Sequence, residues 1–360
     1  MTARPFPSLL VLVALASHGP ACGQEAAGEM VALRIQLAKD AQLRFKQTMS
    51  MTQAMKMGEM DMDIRMDSSH EIRVKALEVD PDGTVLLEFR TGVVKGKMES
   101  PMMEFEFDSA KKAEETEDNP MSALMGKAMT GLANRTFKVR IGADGEVREV
   151  QGAEDVIKSV LSEDMPGLGV MKRMMGEQLS VDGIRHQVQN YFLRLPKDPI
   201  AVGATWPNRE EMSFSGRRMV TETTQKLTEV GPDELQVSVA GRMELKQTSG
   251  EAKKTPPATA KEDEEPDEEA EVAMSILEKM KITDGVVKGT ARLSRRDGLP
   301  LSDVRTTTYE MTMPPPGGGE DAEEMVLKTT LQLKVERLPD VSEETPEKPA
   351  EPPVEKKKEK

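Results

Sequence analysis

The chain has 360 residues and a formal net charge of −14, with 63 acidic and 49 basic side chains. This acidity argues against nucleic acid as a partner, because binding to a phosphate backbone requires a basic surface. The single cysteine, Cys22, excludes an internal disulfide. One Trp, two Tyr and eight Phe are too few for the aromatic platforms of a sugar-binding cleft.

Residues 1–23 are typical of a secretory signal peptide. Arg4 supplies the positive charge, and the apolar run LLVLVALA at 9–16 is too short for a permanent membrane span. Two processing routes are open: cleavage after Gly23, or lipidation of Cys22 as the N-terminus of a lipoprotein. Both predict an exported protein, periplasmic or extracellular, and the second route anchors it to a membrane. No later segment is apolar enough to span a membrane as a helix.

The first predicted strand pair is rich in methionine. In MSMTQAMKMGEMDMDIRM (49–66), seven of eighteen residues are Met, and apolar residues alternate with polar ones on both sides of Gly58. This period of two predicts half-buried strands, and Gly58 suits the first central position of a type II′ turn. The predicted register pairs Met57 with Met60, Met55 with Met62 and Met51 with Met66. One face of the hairpin would then carry six methionines and Ile64.

Further strand pairs follow along the chain, each joined by a turn that contains Gly, Pro or Asp. They cover residues 70–94, 135–150, 217–247 and 286–313, and a last strand covers 325–338. Between them, apolar residues recur at helical spacing from 120 to 132 and in three later segments, 153–163, 167–179 and 183–195.

These elements predict an α+β fold with long antiparallel β-sheets built from two similar β-units and a central helical segment. The first β-unit covers 30–108, a linker covers 109–119, the helical segment with its hairpin at 135–150 covers 120–195, and the second β-unit covers 196–338. The acidic insert 251–271 and the tail 339–360 are predicted to be disordered, because they contain few apolar residues.

A faint internal repeat agrees with two units. KALEVDPDG (75–83) matches KLTEVGPDE (226–234) at an offset of 151, and two Asp-Gly turns, at 144–145 and 297–298, follow at an offset of 153. Two stretches at nearly one offset favour duplication over chance, although the chemistry of turns alone accounts for about half of these matches.

Three short motifs are LPKDPIAVGATWP (195–207), ADGEVREVQG (143–152) and the strand start KDAQL (39–43). Together they resemble a family of exported bacterial proteins known only as a domain of unknown function. The layout is similar over 30–338, but Ala204 replaces an acid that the family often has. The resemblance implies export and a β-rich, two-part architecture, and it implies no activity. The predicted layout is also similar to periplasmic lipoprotein-carrier folds, which is an analogy of fold alone.

No catalytic motif is recognisable in the sequence. His70 and His186 have no metal-ligand spacing, and there is no G-x-S-x-G elbow or phosphate-binding loop. The sequence DPDG at 80–83 predicts a turn rather than a calcium loop, because Phe89 would occupy the twelfth position of that loop. We therefore expect a protein without a cofactor or enzymatic activity.

Three interpretations of the methionine-rich face are open. Met is a flexible apolar filler, so core packing is the favoured one; the same side chains also suit an adaptable surface for a lipid or an envelope protein. The third interpretation is a Cu(I) site, because thioethers bind soft ions. The candidate apolar face consists of Met51, Met55, Met57, Met60, Met62 and Met66. The candidate copper ligands are Met55, Met57, Met60 and Met62.

Overall fold

The computed structural model describes residues 29–57, 60–101, 103–111, 135–154, 180–214, 217–246, 279–314 and 324–339. In this part of the chain the protein is mostly β, with twelve strands in one antiparallel sheet and one short helix. The signal peptide with Cys22, the predicted helices at 120–132 and 167–179, the insert 251–271 and nearly all of the tail lie outside the described residues.

The elements are named in chain order. The strands are β1 Gln42–Met57, β2 Met60–Val79, β3 Val85–Ser100, β4 Met103–Asp108, β5 Thr136–Ile141, β6 Val147–Gln151, β7 Thr205–Phe214, β8 Arg217–Val230, β9 Glu234–Lys246, β10 Lys281–Ser294, β11 Pro300–Met313 and β12 Met325–Leu338. The helix is α1, Val181–Gln189.

The predicted strand pairs form with their predicted partners. The register of β1 and β2 pairs Met57 with Met60, Met55 with Met62 and Met51 with Met66. Two strands were not predicted: β4, which has six residues, and β7, which has ten. The sequence of β7 starts with Thr-Trp-Pro and continues with charged residues, so it lacks a clear alternation of apolar and polar positions.

The single sheet joins two five-stranded units side by side. Its strand order is β6-β5-β3-β2-β1-β12-β11-β10-β9-β8-β7, and β4 pairs with the last part of β3. β5 and β6 come from the hairpin at 135–150, which was predicted within the helical segment, and together with β1, β2 and β3 they form one half of the sheet, called the first unit below. β7 to β11 form the other half, called the second unit, and β12 pairs with both β1 and β11. The two β-units therefore share one sheet.

The faint repeat has a counterpart in the backbone. Just before β1, Asp40 has φ +65° and its N–H donates to the carbonyl of Ala76 at 2.8 Å. Just before β7, Gly203 has φ +92° and its N–H donates to the carbonyl of Leu227, also at 2.8 Å. Ala76 and Leu227 are 151 residues apart, which is the offset of the sequence repeat. The two units therefore begin with the same local geometry.

Two corresponding turns each hold the extended segment that precedes the other unit. The carbonyl of Asp144, in the first unit, accepts from the N–H of Leu195 at 2.8 Å. The carbonyl of Asp297, in the second unit, accepts from the N–H of Gln36 at 3.0 Å. The chain before β7 is thus fixed on the first unit, and the chain before β1 is fixed on the second.

The glycines of these two turns explain the close approach. Gly145 and Gly298 have φ values of +77° and +70°, which favour glycine. A Cβ on Gly145 would lie 2.1 Å from the carbonyl oxygen of Leu193, and one on Gly298 would lie 2.2 Å from that of Arg34. Both Asp-Gly turns that the sequence repeat singled out are therefore docking sites for a neighbouring backbone.

Helix α1 is shorter than the predicted helix at 183–195. It begins at the cap Ser180, whose Oγ accepts from the N–H of Gly183 at 3.0 Å, and it ends at Gln189. The buried side chain of Gln189 donates to the carbonyls of Gly145 and Phe192, which holds the end of the helix against the β5–β6 turn. The prediction was wrong here because Tyr191 and Phe192 are buried from the turn after the helix, and Leu195 is buried from the extended segment that follows it.

The sheet is curled so that both of its edges reach α1. β6 and β7 are ten pairings apart in the strand order, about 48 Å in a flat sheet. Nevertheless, the N–H of Val147 on β6 donates to Oε1 of Gln189 at 3.1 Å, and Glu210 on β7 lies 3.8 Å from His186. A helix is about 10 Å wide, so the sheet must wrap around it.

The main hydrophobic core lies on the face of the sheet that α1 covers, which we call the inner face. It includes Phe45, Phe89, Ile141, Leu227 and Leu293 from the strands and Ile184, Val188, Tyr191 and Phe192 from α1 and the turn after it. Burial of each large apolar side chain contributes roughly 1.5–3 kcal/mol, so this cluster provides most of the stability of the fold.

Close backbone packing in β8, β9 and β10 allows the sheet to bend. A Cβ on Gly241 would lie 2.1 Å from the carbonyl oxygen of Glu222, and one on Gly285 would lie 2.2 Å from that of Met243. Asp284, beside Gly285, has φ +52° and lies in an irregularity of the β10–β11 register. Such irregularities increase the local twist of a strand pair.

His70 and Tyr191 form a hydrogen-bonded pair at the margin of the core. Nε2 of His70 lies 2.6 Å from the hydroxyl of Tyr191, whose ring is close to those of Phe45 and Phe89. Burial lowers the pKa of His70 from 6.5 to about 4, and burial also raises the pKa of Tyr191. The neutral histidine is therefore the form that fits the folded protein.

We predict that Gly241→Ala lowers the free energy of unfolding by about 2 kcal/mol or more, because the backbone of β8 must move. Gly96→Ala is the matched control, since Gly96 also lies within a strand and the nearest atom to its Cβ would be 3.8 Å away. The control should change the free energy by less than about 1 kcal/mol. Urea denaturation measures both variants, and equal effects would contradict the close packing of β8 and β9.

We also predict that acidification destabilises the fold through His70. The folded pKa of about 4 lies below the ordinary value of 6.5, so the unfolded state binds more protons between these pH values. The contribution is complete above pH 6.5 and is lost as the pH falls to about 4. The slope attributable to this residue is at most about 1.4 kcal/mol per pH unit.

Urea denaturation across this range, with wild type and His70→Gln, measures the slope. His70→Gln should have a shallower pH dependence than wild type. An unchanged dependence in His70→Gln would contradict the assignment.

Candidate functional site

An apolar band crosses the inner face beyond the main core. Met51 on β1 is directly opposite Met66 on β2 and Leu331 on β12, and Met66 is in turn opposite Met98 on β3. One row nearer the core, Met49 is opposite Leu333. We call these six half-buried residues the methionine band: Met49, Met51, Met66, Met98, Leu331 and Leu333.

The band belongs to neither of the two packed apolar clusters. The main core lies on one side of the band along the strands. On the other side, a second cluster of buried residues lies at the start of β10, the end of β11 and the start of β12: Met280, Met311, Met325 and Leu327. The six band residues are absent from both clusters. In the part of the chain that the structure describes, the main strand contacts of α1 are with the edge strands β6 and β7. The band is therefore an apolar surface that the described residues leave only half covered.

The structure divides the predicted methionine face into three groups. Met51 and Met66 lie in the band, and Met55 packs against the second cluster. Met62 is half-buried opposite Met55. Met57 and Met60 are paired through their backbones, but their side chains lie outside the described residues. The four candidate copper ligands thus occupy two adjacent cross-strand pairs, and Cys22, the candidate lipidation site, lies outside the described residues.

A buried ion pair borders the band. Arg305 on β11 is directly opposite Leu333, and its guanidinium donates to both carboxylate oxygens of Asp303 at 3.2 and 2.6 Å. The Arg305 side chain is 15% exposed, whereas that of Asp303 is 3% exposed, so the guanidinium is the accessible partner. Burial opposes the charge of Arg305, but the carboxylates of Asp303 and then Glu210 outweigh it and raise the pKa.

Glu210 reaches the same region from the edge strand β7. Oε1 of Glu210 accepts from the side-chain amide of Asn208 at 2.8 Å, and Oε2 lies 3.8 Å from Nδ1 of His186. Its charge influences Arg305 although β7 and β11 are four pairings apart, about 19 Å in a flat sheet. The curl of the sheet therefore brings these two charged residues towards each other.

Comparison of the two units shows where the second one has gained polar residues. The paired positions Phe45 and Ile72 of the first unit are in the main core. Aligned through the start of each unit and the 151-residue offset, they correspond to the pair Asn208 and Thr223.

The next pair shows the same change. Leu43 and Val74 in the first unit correspond to Trp206 and Gln225 in the second, and both residues of each pair are buried. Gln225 is 1% exposed, and its Oε1 has no hydrogen-bond partner among the described residues. An unsatisfied buried polar atom costs about 1–3 kcal/mol, so packing alone does not explain this glutamine. We call Asn208, Glu210, Thr223, Gln225, Asp303 and Arg305 the polar patch.

Sequence reasoning did not identify the polar patch. Its members come from β7, β8 and β11, and only the curl of the sheet relates them. The one available signal was the excess of polar residues at inner-face positions of β7 and β8, but β7 itself was not recognised as a strand.

An open groove of about 690 Å³ lies on the opposite, outer face near the ends of β1 and β2. Its lining includes the charged residues Asp63, Arg65, Glu99 and Lys328, with both signs represented. Small polar residues such as Thr52 and Thr330 complete it. This mixed lining lacks the apolar character of the band and does not indicate a specific ligand.

Among the described residues, no group of three or more His, Cys, Asp or Glu side chains is arranged to hold a metal ion. No helix within the described ranges has the length and apolar character needed to cross a membrane.

Three solved structures illustrate the similarity of this chain to known folds, and all three are distant. A lipovitellin structure, described by the words "lipid-protein interactions in lipovitellin", has 9% identity and a TM-score of 0.40; the match covers 85% of this chain and 26% of that chain. This chain thus spans about a quarter of the lipovitellin chain. An outer membrane channel from Pseudomonas putida F1 has 6% identity and a TM-score of 0.21, covering 84% and 97% of the two chains. A DUF1329 family protein from Desulfovibrio piger has 9% identity and a TM-score of 0.13, covering 79% and 84%.

These similarities are too weak to indicate a function. None of the curated proteins compared with the chain matches it significantly. A family model, by contrast, matches residues 82–300, which is more than half of the chain. The resemblance to a domain of unknown function is thereby confirmed: the chain belongs to DUF6263, a family of unknown function.

Proposed function

We propose that this protein is an exported envelope protein without enzymatic activity that binds a lipid or another apolar ligand on the methionine band. The observation that carries the proposal is the half-buried state of the band, which continues the apolar inner face beyond the packed core. Soluble proteins rarely leave a continuous apolar surface uncovered, and such surfaces commonly bind ligands or partners.

The shape and composition of the band suit an acyl chain. From Phe105 on β4 through Met98, Met66 and Met51 to Leu331 on β12, one row crosses five strands, about 19 Å. Methionine side chains have three rotatable bonds and a polarizable sulfur, so they adapt to apolar ligands of variable shape. Each buried methylene group of a ligand contributes about 0.8 kcal/mol.

Export is the part of the proposal that rests on residues 1–23 alone. The signal peptide would direct the chain out of the cytoplasm, and lipidation of Cys22 would anchor it to a membrane. Either location would expose the band to lipids or to envelope proteins.

We predict that the protein purified gently from envelopes retains an apolar ligand, which native mass spectrometry detects as extra mass. The same spectrum gives the mature N-terminus, with residue 24 first or with an acylated Cys22. A ligand-free spectrum together with an unprocessed N-terminus would contradict the proposal.

We predict that Met51→Gln combined with Met66→Gln weakens binding of a fluorescent fatty-acyl probe at least about tenfold, because two buried amides lose their hydration. Thr52→Gln with Arg65→Gln is the matched control, since this pair is directly opposite on the same strands but points to the outer face. The control should bind within about twofold of wild type, and unfolding curves confirm that both variants fold. Equal loss in both variants would contradict the assignment to the band.

A Cu(I) site is the second candidate function, and the two adjacent cross-strand methionine pairs favour it. Replacing all four of Met55, Met57, Met60 and Met62 with Leu distinguishes Cu(I) binding from lipid binding, because leucine keeps the apolar surface and removes the thioethers. If copper is the ligand, Cu(I) affinity measured against a competing chelator falls in this variant. If the apolar proposal is correct, Cu(I) affinity is unchanged and probe binding is retained.

A further inference from the structure

The polar patch adjoins the methionine band within one face of the sheet. The row that passes through Leu333 continues to Arg305, then to Gly289 on β10, Val239 on β9 and Gln225 on β8. Arg305 is therefore one of the polar neighbours of the band, together with Ser68, which is opposite Met49, and Thr307, which is opposite Leu331. A Cβ on Gly289 would lie 3.0 Å from Cγ of Arg305, so the Arg305 side chain packs directly over this glycine.

The patch offers both donors and acceptors to a ligand. Nε and Nη2 of Arg305 donate to Asp303, and among the described residues Nη1 has no hydrogen bond. Among the described residues, Oε1 of Gln225 is a buried acceptor without a donor, and Oε2 of Glu210 lies 3.8 Å from Nδ1 of His186. A head group that carries both hydroxyl or N–H donors and oxygen acceptors would satisfy these atoms.

The charge balance of the patch discriminates against anions. Asp303 neutralises Arg305, and Glu210, whose side chain is 14% exposed, adds a further negative charge. A carboxylate or phosphate monoester head would place another negative charge beside two carboxylates in a poorly hydrated site, where like charges repel strongly. An uncharged or zwitterionic head avoids this cost.

We infer that the polar patch binds the head of the lipid proposed above, and that this head has no net negative charge and carries hydrogen-bond donors. This inference rests on the proposed function and specifies its ligand. The glycerol hydroxyls of a monoacylglycerol and the ammonium group of a zwitterionic phospholipid share the required chemistry.

The internal repeat suggests a variant that tests whether Gln225 binds the ligand. Gln225→Val installs the residue that the first unit has at the corresponding position, Val74, and removes the unsatisfied acceptor. If Gln225 serves a ligand, the variant folds at least as stably as wild type and loses head-group recognition. If Gln225 is a structural residue held by a buried water, the variant is less stable and binds lipid as before.

The experiment measures binding of three oleoyl lipids by calorimetry to the full mature chain: mono-oleoylglycerol, oleoyl lysophosphatidylethanolamine and oleate. We expect one or both of the neutral-headed lipids to bind about tenfold more tightly than oleate in wild type, because oleate adds a charge beside Glu210. Glu210→Gln should improve oleate binding and reduce this difference to about threefold or less. Gln225→Val should weaken the preferred neutral lipid about tenfold without lowering the unfolding midpoint.

Two substitutions on the outer face serve as controls. Gln236→Val matches Gln225→Val on the neighbouring strand, and Glu222→Gln matches Glu210→Gln within the exposed ion pairs of Arg209 and Arg242. Both should leave the order and strength of lipid binding unchanged. Which neutral lipid binds more tightly identifies the donor as hydroxyl or ammonium.

Three results would overturn the inference. Oleate binding as tightly as the neutral lipids in wild type would contradict the charge argument. If the Gln225→Val variant is less stable than wild type but binds lipid as wild type does, Gln225 has a structural role and does not bind the ligand. Absence of binding by all three lipids would reject the proposed function itself, and the inference with it.

Discussion

The reciprocal docking of the two leading segments is the constraint on which the rest of the structure depends. The chain before β7 bonds to the turn at Asp144, and the chain before β1 bonds to the turn at Asp297. Each unit is thereby fixed to the other at the ends of their strands, while α1 contacts both sheet edges. A sheet that would measure about 48 Å across when flat is held in a curl, and its inner face becomes the interior of the protein.

The strands are longer than the core that α1 and the leading segments fill. Their inner face therefore continues as the methionine band, and Arg305 on β11 lies beside it, directly opposite Leu333. At two inner-face positions the first unit has the core residues Phe45 and Val74, whereas the second unit has Asn208 and Gln225. Oε1 of Gln225 has no hydrogen-bond partner among the described residues. A third position is polar in both units, with Gln47 in the first and Glu210 in the second. The two units thus share a framework and differ at these inner-face positions.

The local features of the fold were predictable from the sequence, and the long-range ones were not. Period-two alternation and turn residues identified most strands, and the Gly58 turn was sufficient to predict the register of Met51 against Met66. No local signal could pair β1 with β12 or bring β6 and β7 to one helix. Helix α1 ends earlier than predicted because the side chain of Gln189 bonds to the carbonyl of Gly145, which is 44 positions away in the sequence. The polar patch shares this limitation, since Arg305 and Glu210 are related only by the curl.

The most direct measurement is photo-crosslinking of the full mature chain with a lipid that carries a diazirine in its acyl chain, followed by peptide mass spectrometry. If the inner face beyond the core is the binding surface, labels concentrate on Met49, Met51, Met66, Met98 and the segment 331–333, and excess unlabelled lipid removes them. Labels on outer-face residues such as Thr52 and Arg65, or labels spread evenly over the strands, would contradict the account.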